Sequence, residues 1–285
     1  MLQFIEENKI FSAVFFLMVL ALPVPLFTQE ILPFQDLPQH ISTVSVIHNI
    51  GNPEYDFNKY YHVDYSATQY LLYYLLCDFL SYAVSVGTAA KVVIAIYAAA
   101  YLLAFLLFLR TFGRNVWAVF FAAPFVYDRF IFMGFINYNL AIPLMFAGLA
   151  LAARNARDFS VGKWLALCLT AILIFYSHAI IYLVFGFAAC LYLMTNLRKF
   201  KQTALSLSAV IPSVAPFIIW TMRSLILSPQ EVWEKGNLGR NLSPAKAEWE
   251  PIAVKFSEFS NRIFPNYPDN SDKWLLLFCA GLFIL

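Results

Sequence analysis

Thr88-Ala-Ala-Lys-Val-Val-Ile-Ala-Ile-Tyr-Ala-Ala-Ala-Tyr-Leu-Leu-Ala-Phe-Leu-Leu-Phe-Leu109 is the stretch that decides the fold. It carries one charge, Lys91, in an otherwise apolar run. About 20 apolar residues, wound as a helix, cross the hydrocarbon core of a bilayer. The rest of the chain has the same character: 61% of its 285 residues are hydrophobic and 13% are charged. An average soluble domain has roughly 25% charged residues. A soluble protein of this composition would keep a greasy outer shell. The composition therefore excludes a soluble enzyme and a disordered tail. The net charge of +2 is too small to draw a polyanion, so nucleic acid is excluded as a partner. The expected fold class is all-α, a polytopic transmembrane bundle whose solvent is membrane lipid.

Outward from this stretch, further runs of spanning character stand at Ile10–Thr28, Val116–Tyr127, Phe135–Ala153, Val161–Tyr176, Ala179–Leu197 and Thr203–Leu227. The first follows a flank with Glu6 and Glu7 and no small-x-small cleavage site, which reads as a retained anchor rather than a cleaved signal. A last run begins at Trp274 and is still apolar at Leu285, too short to span. The chain thus reads as the N-terminal part of a longer membrane protein, or as one with an incomplete last helix. Residues 1–285 read as one transmembrane domain. Cys77, Cys168, Cys190 and Cys279 lie inside apolar runs with no zinc spacing, as small buried hydrophobes do.

Three basic loops, Arg110–Arg114, Arg154–Lys163 and Arg198–Lys201, share the cytoplasmic side if the spans between them alternate. With the N-terminus also inside, Ser66–Val86 does not cross. It reads as a helix lying on or dipping into the outer face, with Tyr70, Tyr73, Tyr74 and Tyr82 at the interface. The alternative is a full span with an extracytoplasmic N-terminus. Asp78 inside that run is expensive unless paired. This topology leaves two long outer segments, 29–87 and 228–272. The second holds Trp233, Trp249, Tyr267 and a weak sequon at Asn241.

His40, His48 and His62 lie in the first outer segment, with several carboxylates. In Leu32-Pro-Phe-Gln-Asp-Leu-Pro-Gln-His40, Pro38 opens a helix at its first turn, Asp36 precedes it and His40 follows within it. Asp36 is either a plain helix cap or a carboxylate poised at the membrane surface as a general base or metal ligand. The histidine spacings match no metal signature. Lys91, Arg129 and Arg223 fall near the outer surface and suit a phosphate. Arg129 alternatively pairs with Asp128, and Arg223 alternatively snorkels. Lys91 breaks the positive-inside rule on this topology, so either it binds phosphate or the topology differs. His178, at the turn after Ser177, is a structural histidine or a site residue. Asn137 and Asn139 either join helices or face a sugar.

Asp36 with Pro38 and His40, just past an N-terminal anchor, resembles the first-loop motif of the GT-C glycosyltransferases. The order that follows is similar: a Tyr/Leu-rich helix over Gln69–Val86, Ala89-Ala-Lys91, a long span ending in Leu109-Arg-Thr-Phe-Gly-Arg114, and Gly134-Phe-Ile-Asn-Tyr-Asn-Leu-Ala-Ile-Pro143, which resembles a segment of bacterial members. The resemblance covers about Met1–Lys201. It implies a multi-pass enzyme of the bacterial plasma membrane and cell envelope that uses a polyprenyl-phosphate-sugar donor. Asp36 would be its catalytic residue; His40, Lys91, Arg129, Arg223 and His178 are the candidate substrate-binding residues. Asp36 stands without an adjacent acid, and no Asp-x-Asp follows near Asp128. The expectation is therefore a reaction without metal or cofactor. A transporter or flippase for a lipid or small polar solute, and a non-catalytic subunit of an envelope assembly, remain the competing readings.

Overall fold

The computed structural model describes residues 8–63, 65, 68–196 and 199–226. The second outer segment at 228–272, with Trp233, Trp249, Tyr267 and Asn241, lies outside them, as do Cys279 and the run from Trp274. The chain divides into two compact units, Met1–Phe217 and Ile218–Leu285. The first carries the features that follow. Of the second, only the final turns of the last helix are described.

The regular structure of the described residues is all helix, with no strand. The α-helices are α1 Lys9–Ala21, α2 Val24–Thr28, α3 Leu37–His48, α4 Leu72–Ser81, α5 Val86–Thr111, α6 Arg129–Met133, α7 Ile136–Arg157, α8 Val161–Ser177, α9 Ala179–Thr195, α10 Phe200–Leu207 and α11 Ile211–Ile226. Five segments are long and apolar enough to cross a membrane: Lys9–Thr28, Val86–Thr111, Val116–Met133, Ile136–Arg157 and Phe200–Arg223. α8 and α9 are apolar helices of 17 residues each. The architecture is a membrane-type helical bundle.

α5 is its axis. Ser85 caps it by accepting from the Thr88 amide at 3.3 Å, and its 26 residues reach about 39 Å. Ala89, Ala90, Val93, Ile94, Tyr97, Ala98 and Leu102 are buried along it, against α4 and α7 among others. Small residues bring helices close where lipid offers no hydrophobic driving force between them. Gly148 of α7 does the same for α9: a Cβ there would stand 2.9 Å from the Phe185 ring.

Two runs expected as plain spans are built otherwise. Val116–Phe125 winds as a 3-10 helix, started by an Asn115 cap and holding Pro124. A 3-10 helix rises about 2.0 Å per residue and seldom runs this far. The run from Thr203 breaks at a 3-10 turn, Ser208–Val210, whose Ser208 hydroxyl accepts from the Trp164 indole at 3.0 Å.

The expected helix over Ser66–Val86 is much shorter. Among its described residues before Val86, where α5 begins, only Leu72–Ser81 is α-helical, about 15 Å of rise, which is too short to span. Its Asp78 is paired: His48 Nδ1 lies 2.8 Å from Asp78 Oδ1, tying α3 to α4. Cys77 is buried as expected, whereas Cys168 is half-buried and Cys190 is exposed.

The loops sort to opposite ends of the bundle. At one end Arg154 Nε donates to Thr111 Oγ1 at 3.1 Å, Arg157 donates to the Thr111 carbonyl, and Lys163 pairs with Asp158. The described parts of all three basic loops gather there. The other end carries the first long loop, the start of α5, the α6–α7 corner and the α8–α9 corner.

Candidate functional site

The loop before α3 is docked on the α6–α7 corner. Gln35 N donates to the Phe132 carbonyl at 2.8 Å, and Phe34 meets Phe132 edge to face at 5.5 Å. Directly beneath Asp36 lies Gly134, in the left-handed region at φ +94°. A Cβ on Gly134 would stand 2.7 Å from the Asp36 Cβ and 2.9 Å from its backbone nitrogen. Only glycine takes this backbone without strain and also leaves room for Asp36.

Asp36 occupies the N-cap position of α3, and Pro38 sits in the first turn as expected. Its side chain makes no capping bond. The carboxylate is half-exposed and forms no hydrogen bond among the described residues. Of the two readings the sequence allows, a side-chain cap does not describe the geometry.

His40 is a bracket. Its Nε2 lies 2.9 Å from the Gly134 carbonyl, which can only accept, so Nε2 carries a proton. Its Nδ1 lies 2.7 Å from the Tyr74 hydroxyl. Burial, with Cys77 beside it, raises the Tyr74 phenol above its ordinary range. Tyr74 therefore keeps its proton, and its hydroxyl shares a hydrogen bond with His40 Nδ1. Both ring nitrogens of His40 are engaged within the protein, so the residue positions Asp36 and Gly134 relative to α4.

α6 is capped by Asp128, whose Oδ1 accepts from the Ile131 amide at 3.0 Å. The Asp128 carboxylate thus serves its own helix. Arg129 begins α6 and Gly134 ends it, so Arg129 and the Asp36 seat stand about one short helix apart, some 8 Å.

His178 is the single extended residue joining α8 to α9, and it is only 4% exposed. Its Nε2 lies 3.1 Å from the Tyr70 hydroxyl, and its ring meets those of Tyr70 and Tyr138 edge-on at 4.9 and 5.2 Å. Its Nδ1 is buried with no partner among the described residues. Burial lowers the imidazole pKa, favouring the neutral ring. Tyr70 holds a left-handed backbone at φ +65°. The residues beside it impose this: Gln69 Oε1 accepts from Ala179 N at 3.0 Å, and Leu71 N donates to the Tyr176 carbonyl at 2.8 Å. A bulky residue in this region is strained, and such strain tends to gather at functional sites. Phe130 and Tyr138 pack at 5.1 Å, so an aromatic surface extends from His178 toward α6.

Lys91 Nζ donates to the Gln29 carbonyl at 2.5 Å and tethers the exit of α2 at the same end of the bundle. Arg223 belongs to the second unit. Asn137 and Asn139 are buried and join elements: Asn137 Oδ1 accepts from Tyr73 N at 3.1 Å, and Asn139 Oδ1 accepts from the Tyr97 hydroxyl at 3.3 Å. Among the described residues no three His, Cys, Asp or Glu side chains converge as a metal site would require. The structure thus gathers Asp36, His40, Arg129 and His178 at one end. It adds Gly134, Tyr70, Tyr74 and Tyr138, which no local spacing marks, since each matters only through a partner distant in sequence. In the sequence Tyr70 and Tyr74 read as interfacial and Gly134 and Tyr138 fall within the phrase Gly134–Pro143, but nothing local joins any of them to Asp36 or His178.

No family model, no curated protein and no solved structure matches this chain significantly.

Proposed function

We propose that the chain is a GT-C-like glycosyltransferase of the plasma membrane, acting at the extracytoplasmic face. The basic end is then cytoplasmic, in line with the positive-inside rule. The carrying observation is the Asp36 carboxylate, half-exposed, without a hydrogen-bond partner among the described residues and fixed by its backbone on Gly134. A carboxylate left free at a helix start, where a capping bond was available, is suited to accept a proton from a substrate.

In this reading Asp36 takes the proton of an acceptor hydroxyl. The hydroxyl oxygen forms a bond to the anomeric carbon of the sugar. The bond from that carbon to the donor phosphate oxygen breaks, and polyprenyl phosphate leaves with the electron pair. Arg129, and Lys91 with its remaining N–H donors, stabilise the leaving phosphate. The exposed edges of Tyr70 and Phe130 offer apolar faces to a sugar or prenyl group. His178, itself buried, supports that aromatic surface through its contact with the Tyr70 hydroxyl at 3.1 Å.

The test uses membranes carrying the full chain and radiolabelled polyprenyl-phosphate hexoses and pentoses. Wild-type membranes should transfer label to an acceptor, and Asp36→Asn should lose transfer by at least about 100-fold at equal expression. Retained transfer in that variant sinks the reading. Label that crosses sealed vesicles without a covalent product sinks it too, in favour of a transporter.

A further inference from the structure

A cavity of about 430 Å3 opens at the basic end of the first unit, opposite the Asp36 site. This volume lies within the range of small-ligand pockets. Its floor and walls come from four places: the end of α5, the end of α7, the end of α9 and the start of α10. Two cationic residues, Arg157 and Lys199, line it, and its described lining contains no Asp or Glu. The nearest carboxylate along the chain, Asp158, is engaged by Lys163 at 2.8 Å.

The donors in the cavity are unevenly used. Arg157 spends one N–H on the Thr111 carbonyl, which fixes the guanidinium while its other donors stay open. The Lys199 ammonium and the hydroxyl of Thr203, a residue only 1% exposed, form no hydrogen bond among the described residues, while the Lys199 backbone N donates to the Asn196 carbonyl at 2.9 Å. Asn196 Nδ2 is engaged by the Tyr192 carbonyl at 2.8 Å. Lys199 is also the N-cap of α10 and supplies no side-chain cap, so the first amides of that helix add positive potential beside the cavity. Phe112 and Tyr192, edge to face at 6.0 Å, form an apolar wall. Positive donors without a counter-charge, next to an apolar wall, fit an anion that carries a hydrophobic group.

We propose that this cavity binds a phosphate group, held by Arg157, Lys199 and Thr203. The phosphate comes either from an anionic lipid headgroup, with its acyl part along Phe112 and Tyr192, or from a small soluble phosphate. The inference rests on a different end of the bundle from Asp36 and is independent of the glycosyltransferase reading.

The test uses the full chain in uncharged detergent, titrated with phosphatidylglycerol, inorganic phosphate, dioleoylglycerol and oleate, with thermal stabilisation as the readout. At least one phosphate probe should bind saturably, and dioleoylglycerol should not. Lys199→Gln and Thr203→Val should each weaken that binding, the former by about tenfold or more. The Lys199 side chain is exposed and forms no hydrogen bond among the described residues, and its backbone bond to Asn196 does not depend on it, so Lys199→Gln leaves the fold intact. Phosphatidylglycerol binding without inorganic phosphate binding identifies the lipid as the source; saturation by inorganic phosphate identifies the small anion. Failure of both phosphate probes overturns the proposal. So does wild-type binding in both variants, or oleate binding as tightly as phosphatidylglycerol, which would reduce the site to charge alone.

Discussion

Asp36 and Gly134 are in backbone contact across 98 positions of sequence: a Cβ on Gly134 would come within 3.0 Å of the Asp36 Cα and within 2.7 Å of its Cβ. The positive φ of Gly134 turns the chain from α6 into α7, and the same residue makes the seat for the first loop. One glycine thus sets both the corner and the height at which the Asp36 carboxylate stands.

Gly134→Ala should destabilise the protein by about 1–3 kcal/mol, combining a strained backbone with a collision at Asp36. Thermal unfolding in detergent measures it. An unchanged midpoint would show that the loop does not rest on this glycine.

Asp36→Asn should leave stability within about 0.5 kcal/mol of wild type, because the carboxylate makes no bond that the fold requires. The same unfolding measurement checks this. A large loss would return Asp36 to the status of a structural cap.

His40 and Tyr74 should be energetically coupled. His40→Ala leaves the Gly134 carbonyl and the Tyr74 hydroxyl without their partner, at about 1–3 kcal/mol, and Tyr74→Phe removes about 1 kcal/mol. In a double-mutant cycle the two losses should fall short of additivity by about 0.5 kcal/mol or more. Strict additivity would mean that the bracket does not act as a unit.

His178 should make stability pH-dependent. Its folded pKa is lowered by burial below the ordinary value of 6.5. Below that value the unfolded chain takes a proton that the folded chain refuses, so folding stability declines as pH falls through it. The slope is at most about 1.4 kcal/mol per pH unit. Above that value the residue contributes no slope. His178→Phe should flatten the acid side of the stability profile relative to wild type. An equal slope in both proteins would show that His178 is not the source of the dependence.

Much of the fold was readable from local composition. The run over Thr88–Leu109, the Asp36–His40 phrase with its proline-opened helix and the basic loops at Arg110, Arg154 and Lys199 each carry their signal within a few residues. Hydropathy and charge placement suffice there, because the bilayer acts on each segment separately. Other features needed the assembled bundle. The 3-10 winding of Val116–Phe125 is not marked by hydropathy, which is the same for an α-helix of that composition. The start of α4 at Leu72 coincides with a long-range bond, Leu71 N to the Tyr176 carbonyl at 2.8 Å, which no local pattern shows.

By itself, the sequence determined that lipid is the solvent, that the structure is helical and that polar chemistry concentrates in few places, because these depend on each residue's own transfer free energy. Tertiary structure alone decided that Asp36 is left free, that His40 is spent on Gly134 and Tyr74, that Asp78 finds His48, and that Arg157 and Lys199 share a cavity. Those outcomes depend on partners 30 or more positions away, and a polar group's role is set by which partner packing brings within about 3 Å.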